Sequence, residues 1–194
     1  MNERNSSIFK ITIVLIAVNI LVYIGTSVAS GNFFETSTSI MATFGQLNIL
    51  VIQGWYWQLF SSLFIHANIT HLVGNMLFLL IFGLRVEDLF NKVHYLVTYF
   101  ASGLLGNLLS LFLGPQVISV GASGAIFGLF GAYTAYLGTS FGSSAILAIF
   151  YGSYMFLLNV RSGVNIIAHF GGLVAGILIG FIISKKREPE FFER

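Results

Sequence analysis

Two side chains in this 194-residue chain have the types and settings to carry out nucleophilic chemistry together. Ser123 stands in Gly121-Ala122-Ser123-Gly124-Ala125-Ile126-Phe127-Gly128, among residues with almost no side chain, where another backbone or a substrate has room to approach. His169 stands three residues before Gly172, in an apolar run in which Gly172, Gly176 and Gly180 recur every fourth position. A serine hydroxyl is a weak nucleophile until a base lies within hydrogen-bond reach, and a neutral imidazole is the usual base near pH 7. A base that must be neutral predicts loss of activity in acid. The Ser–His–Asp template adds a carboxylate behind the imidazole. Here the only Asp is Asp88, beside Glu87, while Glu35 and the remaining acids lie in a connector or at the chain ends. Any hydrolase chemistry therefore rests on a dyad, with the ring oriented by packing, and Phe127, one turn below Ser123, is suited to that packing. His71 and Asn75, four apart on one helical face, together with the Ser123 amide, are candidate donors to a developing oxyanion. The competing reading of Ser123 is a small residue at a helix contact, which is common where membrane helices touch.

The medium for this chemistry follows from composition. Hydrophobic residues make up 56% of the chain and charged residues only 8%, against about 25% in a soluble domain. Mean hydropathy is +0.88, and the chain has no cysteine, which excludes thiol nucleophiles, disulfides and cysteine metal sites. The net charge of +2 gives no argument for a nucleic-acid partner, and no metal or other cofactor is expected. The expected class is an all-α membrane protein, a single domain over 1–194, with spans at about 8–28, 69–86, 92–113, 121–137, 145–158 and 165–184. The stretch 31–57, with Trp55-Tyr56-Trp57, is expected to lie as short helical pieces at the membrane–water boundary. Ser27-Val28-Ala29-Ser30 has the look of a signal-peptidase site, but the apolar run before it is long for a signal core, so a retained helix is expected.

Six spans put both termini on one face. Arg4, Lys10, Arg85, Lys92, Lys185, Lys186, Arg187 and Arg194 then share that face and only Arg161 falls opposite, which assigns the termini to the cytoplasm of a multi-pass cell-membrane protein. Spans two, four and six begin at the outer face, and each brings polar groups there: His71 and Asn75, Ser123, and Asn165 and His169. Polar groups in lipid are costly and turn toward the bundle interior. Packing the Gly124/Gly128 stripe against the Gly172/Gly176 stripe would bring Ser123 beside His169.

The residues resemble the rhomboid family of intramembrane serine proteases. Gly121-Ala122-Ser123-Gly124 matches that family's GxSG, Ala168-His169 through Gly172 and Gly176 matches its AHxxGxxxG, and His71 with Asn75 resembles its HxxxN. The resemblance covers about Phe44 to Ser184 and is to the minimal bacterial six-span form. It implies Ser123 as nucleophile, His169 as general base, and His71, Asn75 and the Ser123 amide around the oxyanion. It further implies that transmembrane proteins are the substrates, cut near the outer leaflet, and that 31–57 is the family's membrane-embedded first loop. Three positions depart from the family pattern: Gln58 follows Trp57 where Arg is common, Phe127 replaces a frequent Tyr, and Asn91 replaces a frequent Gly. Two readings from other classes compete. A non-catalytic rhomboid-like protein would bind client transmembrane helices, and a channel would need charged groups deep in its spans, which the sequence lacks.

Overall fold

The computed structural model describes residues 10–141 and 165–186. Four of its helical segments are long and apolar enough to cross a membrane: Ile11–Ser30, Ile69–Leu89, Lys92–Leu113 and Ile166–Lys185. The protein is a multi-pass helical membrane protein. The segment expected to cross at 145–158 lies outside the described residues.

Helix α1 (Ile11–Ser30) carries no side-chain cap of its own. Its first N–H groups are taken by Glu87, whose carboxylate accepts from the Ile11 amide at 2.6 Å, the Thr12 amide at 3.1 Å and the Thr12 hydroxyl at 2.7 Å. An anion at a helix N-terminus satisfies orphan donors and complements the helix dipole. The helix stops at Gly31, whose left-handed conformation (φ 63°) closes the last turn. Thr12, Asn19 and Tyr23 bury one face of α1 against the bundle, so the segment ahead of Ser27-Ser30 is an integral part of the core.

The connector folds into α2 (Thr38–Phe44), the two-residue strand β1 (Gln46–Leu47), α3 (Asn48–Ile52) and α4 (Gln58–Ser61). Trp55 and Trp57 stack at 5.7 Å and, with Tyr56, stay exposed, as rings at a lipid boundary do. Gln58 is fully buried. Its Nε2 donates to the carbonyls of Ala42 and Thr43 (2.8 and 3.0 Å), and its Oε1 accepts the Leu47 amide at 3.0 Å. One neutral side chain thus ties α2, β1 and α4 together.

The second crossing is α5 (Ile69–Phe78), a π-helical turn at Leu79–Gly83 and α6 (Leu84–Leu89). Helix α7 (Lys92–Ser110) follows, capped by the Asn91 side chain accepting from the His94 amide at 2.8 Å. Strand β2 (Ile118–Ser119) then pairs antiparallel with β1, Gln46 opposite Ser119, and this joins the connector to the segment that leads into Ser123.

Helix α8 (Ser123–Phe141) is the centre of the bundle and α9 (Ile166–Lys186) lies against it. Ala122, Ala125, Leu129 and Ala132 are fully buried, so this stretch faces protein where the outer helices face lipid. The glycine stripes interlock backbone to backbone. A methyl group on Gly172 would meet the Gly124 carbonyl, one on Gly176 the Gly128 carbonyl, and one on Gly180 the Ala132 carbonyl. Such contact replaces the hydrophobic drive that lipid does not supply.

This packing separates two kinds of glycine. Gly176→Ala pushes backbone from backbone, which no side-chain rotation relieves, and is expected to cost about 1–3 kcal/mol as overpacking. Gly25→Ala, with nothing within 4 Å of the added carbon, should be neutral or stabilising by up to about 1 kcal/mol. Unfolding measured in mixed micelles checks both, and equal effects at the two positions would contradict the packing.

Candidate active site

Ser123 is the first residue of α8, and the chain reaches it through Gly121 at φ 117°. Glycine is required there twice over. The conformation is left-handed, and an added carbon would fall against Cε1 and Nε2 of the His71 ring. The Gly121 amide donates to the Ser62 carbonyl at 2.9 Å, which fixes the turn. As a first-turn residue, Ser123 has an amide with no acceptor inside its own helix.

His169 is buried in the first turn of α9, and its Nε2 lies 2.7 Å from Ser123 Oγ. The Phe127 ring stacks on the imidazole at 4.5 Å between centroids and 25° between planes. The glycine stripes thus bring together the serine, the histidine and the aromatic ring. Glu87 and Asp88 sit at the far end of the bundle, around the start of α1, away from His169.

On α5, Asn68 caps the helix by accepting the His71 amide at 2.8 Å. The Asn75 Nδ2 donates to the His71 carbonyl at 2.9 Å, so one of its two N–H groups is committed to its own helix and the second is available to another acceptor. Its Oδ1 is buried without a hydrogen-bond partner among the described residues. His71, Asn75, Ser123, Phe127 and His169 all line one cavity of about 700 Å³, whose wall also includes Phe78, Phe82 and Phe130.

His66 lies outside the helices that cross and is fully buried, its ring edge-on to His71 at 5.2 Å. Its Nδ1 is 3.3 Å from the Phe64 carbonyl, which assigns the proton to that nitrogen, and Nε2 has no partner among the described residues. Burial first, and the neighbouring His71 second, push its pKa down from 6.5 to about 3, while the Phe64 carbonyl acts weakly the other way.

From Asn107, at the cavity wall, a polar network that no sequence motif announces runs into the connector. Asn107 Nδ2 donates to the Leu59 carbonyl at 2.7 Å and to Ser62 Oγ at 2.8 Å. Gln46 Nε2 donates to the Asn107 carbonyl and to Asn48 Oδ1, both at 2.9 Å. Asn48 Nδ2 donates to the carbonyls of Ser110 and Gly114, both at 2.8 Å. The available signal was Asn107 and Ser110, two polar residues three apart inside an apolar span.

The fold and site define a helical membrane protein with a serine–histidine pair facing a cavity. Residues 53–186, more than half of the chain, match the family model described as the Rhomboid domain. The chain is 32% identical over 152 residues to the Bacillus subtilis (strain 168) protein named "Putative rhomboid protease YdcA", covering 74% of this chain and 75% of that protein. It is 35% identical over 161 residues to "RHOMBOID-like protein 6, mitochondrial" of Arabidopsis thaliana, covering 78% of this chain and 52% of that protein. It is also 34% identical over 150 residues to "Rhomboid-like protease 3" of Toxoplasma gondii, covering 70% and 56% respectively. The chain therefore spans three quarters of the Bacillus protein's length and about half that of the other two. This chain belongs to the rhomboid family.

Because His66 is held neutral when folded, the unfolded chain binds the extra proton first as pH falls below 6.5. Stability from this residue is therefore full above pH 6.5 and is lost as pH falls toward about 3. Melting temperature in detergent should fall more steeply between pH 7 and pH 4 for the wild type than for His66→Phe. Parallel profiles would contradict the assignment.

Proposed function

We propose that this protein is an intramembrane serine endopeptidase that cuts transmembrane substrates near the outer leaflet. The observation that carries the reading is the 2.7 Å contact between Ser123 Oγ and His169 Nε2 at the wall of a cavity. Family membership and the names of the Bacillus and Toxoplasma relatives support it.

In the proposed reaction the imidazole of His169 takes the Ser123 proton as Oγ attacks the scissile carbonyl, and the imidazolium then protonates the leaving amine. Water then enters the same cavity, its oxygen attacks the acyl carbon as His169 takes its proton, and the imidazolium returns that proton to Ser123 Oγ as the Oγ–acyl bond breaks. With no carboxylate behind the ring among the described residues, the Phe127 stack holds the imidazole in plane. The free first-turn amide of Ser123, the second N–H of Asn75 and the His71 ring are the donors for the oxyanion, each such donor being worth about 2.7–4 kcal/mol in the transition state. A substrate helix must unwind to present its carbonyl, which favours small or helix-breaking residues at the cut. We assign six spans, with both termini in the cytoplasm of a bacterial plasma membrane, on the distribution of basic residues. The retained serine and histidine disfavour a purely client-binding role.

Ser123→Ala and His169→Ala should each abolish cleavage of a single-span model substrate in proteoliposomes, with membrane insertion and abundance unchanged. Cleavage at wild-type rate by either variant would remove the mechanism.

A further inference from the structure

The interlocking of α8 and α9 determines one quantity only weakly. Gly124, Gly128 and Ala132 repeat every fourth residue, and so do their partners Gly172, Gly176 and Gly180. After one helix slides a turn past the other, two of the three contacts still find a glycine, and the third meets Ala168 or Ser184. Such a slip is about 6 Å for four residues, enough to carry His169 out of reach of Ser123. The glycine stripes thus discriminate between these registers through a single misfit at one end. A buried polar group with fixed partners also selects a register, as it does in coiled coils.

We infer that Asn165 is the positioning residue that pins this register and so sets His169 at the depth of Ser123. This rests on the proposed serine–histidine reading. Asn165 immediately precedes α9, and its Oδ1 accepts the Ala168 amide at 2.9 Å, capping the helix. The Nδ2 group donates outward to two other elements: to Ser110 Oγ at the end of α7 (2.6 Å) and to Ser119 Oγ in β2 (2.7 Å). Because the oxygen faces an N–H, the amide has one orientation that satisfies all three contacts. The Ser110 hydroxyl donates its own proton to the Gly106 carbonyl at 2.8 Å and so can only accept from Asn165. The backbone carbonyl of Asn165 accepts the His169 amide at 3.3 Å, one turn on. The connection is therefore short. Ser119 lies four residues before Ser123, Asn165 four residues before His169, and one amide group joins the two segments.

The chemistry explains why asparagine stands here. An aspartate would cap the helix equally well. It would, however, set a carboxylate oxygen against the Ser110 hydroxyl, whose proton is held by the Gly106 carbonyl, so the bond to α7 is lost while Ser119 can still turn its hydroxyl to donate. Capping and pinning can thus be separated by substitution.

The test uses the full-length protein in proteoliposomes with a single-span peptide carrying a small-residue, helix-breaking stretch near its outer end, and Ser123→Ala as the blank. Asn165→Asp is expected to keep a melting temperature near that of the wild type while kcat falls by about tenfold to a hundredfold, the scale of an ångström-sized misplacement. KM should change by less than about twofold. The Ser110→Ala/Ser119→Ala double variant leaves Asn165 in place and should reproduce the same split. If Asn165→Asp recovers kcat together with melting temperature, the residue is a helix cap only and the inference is overturned. Wild-type kcat in the double serine variant overturns it as well. A wild type no more active than Ser123→Ala would instead overturn the hydrolase reading, and the inference with it, before any variant is compared.

Discussion

The approach of two helices to backbone contact is the constraint on which the rest of this structure depends. In lipid, apolar side chains gain nothing by leaving one apolar medium for another, so helices associate through close packing and a few polar bonds. The carbonyls of Gly124, Gly128 and Ala132 sit where side chains of α9 would otherwise be, and glycine at 172, 176 and 180 makes that possible. Contact this close brings the first turns of α8 and α9 together, and the first turn is where a helix has unpaired N–H groups to offer. The serine hydroxyl, its amide and the imidazole therefore meet at the N-terminal end of the backbone contact between α8 and α9.

A polar site inside an apolar bundle needs its other polar groups satisfied, and the protein does this mainly with neutral amides. Asn68, Asn91 and Asn165 each take up a free N–H at a helix start. Gln58 holds the connector together through three backbone contacts, and Gln46, Asn48 and Asn107 tie it to the end of α7. An amide carries both donors and acceptors and has no charge to desolvate, so burial costs it far less than a carboxylate or guanidinium. Among the described residues a carboxylate takes a comparable role only at Glu87, at the opposite end, where α1 begins.

What could be read from the sequence and what could not divides along local and non-local lines. Helical spacing exposed the glycine stripes, and depth within each apolar run aligned Ser123 with His169, because both patterns repeat along a single helix. The β1–β2 pair could not be read, since two-residue strands have no periodicity and Gln46 meets Ser119 only through the folded connector. For the same reason Gln58 read as a lost arginine, when it is a buried anchor of the connector. Asn165 was visible as a polar residue at the right depth, but its partners Ser110 and Ser119 lie 55 and 46 positions away. The π-turn at Leu79–Gly83 leaves no mark in the hydropathy of its span. It ends at Gly83, where an added carbon would fall against Thr12 and the Tyr95 hydroxyl.

The central claim is that the Ser123 hydroxyl is activated by His169, and covalent labelling reads this without knowledge of the natural substrate. The purified protein in lipid would be treated with a fluorophosphonate and the adduct mapped by mass spectrometry. The account predicts phosphonylation at Ser123 in the wild type and none above background in His169→Ala. Labelling of Ser123 at the same rate without the imidazole, or no labelling of the folded wild type, would contradict it.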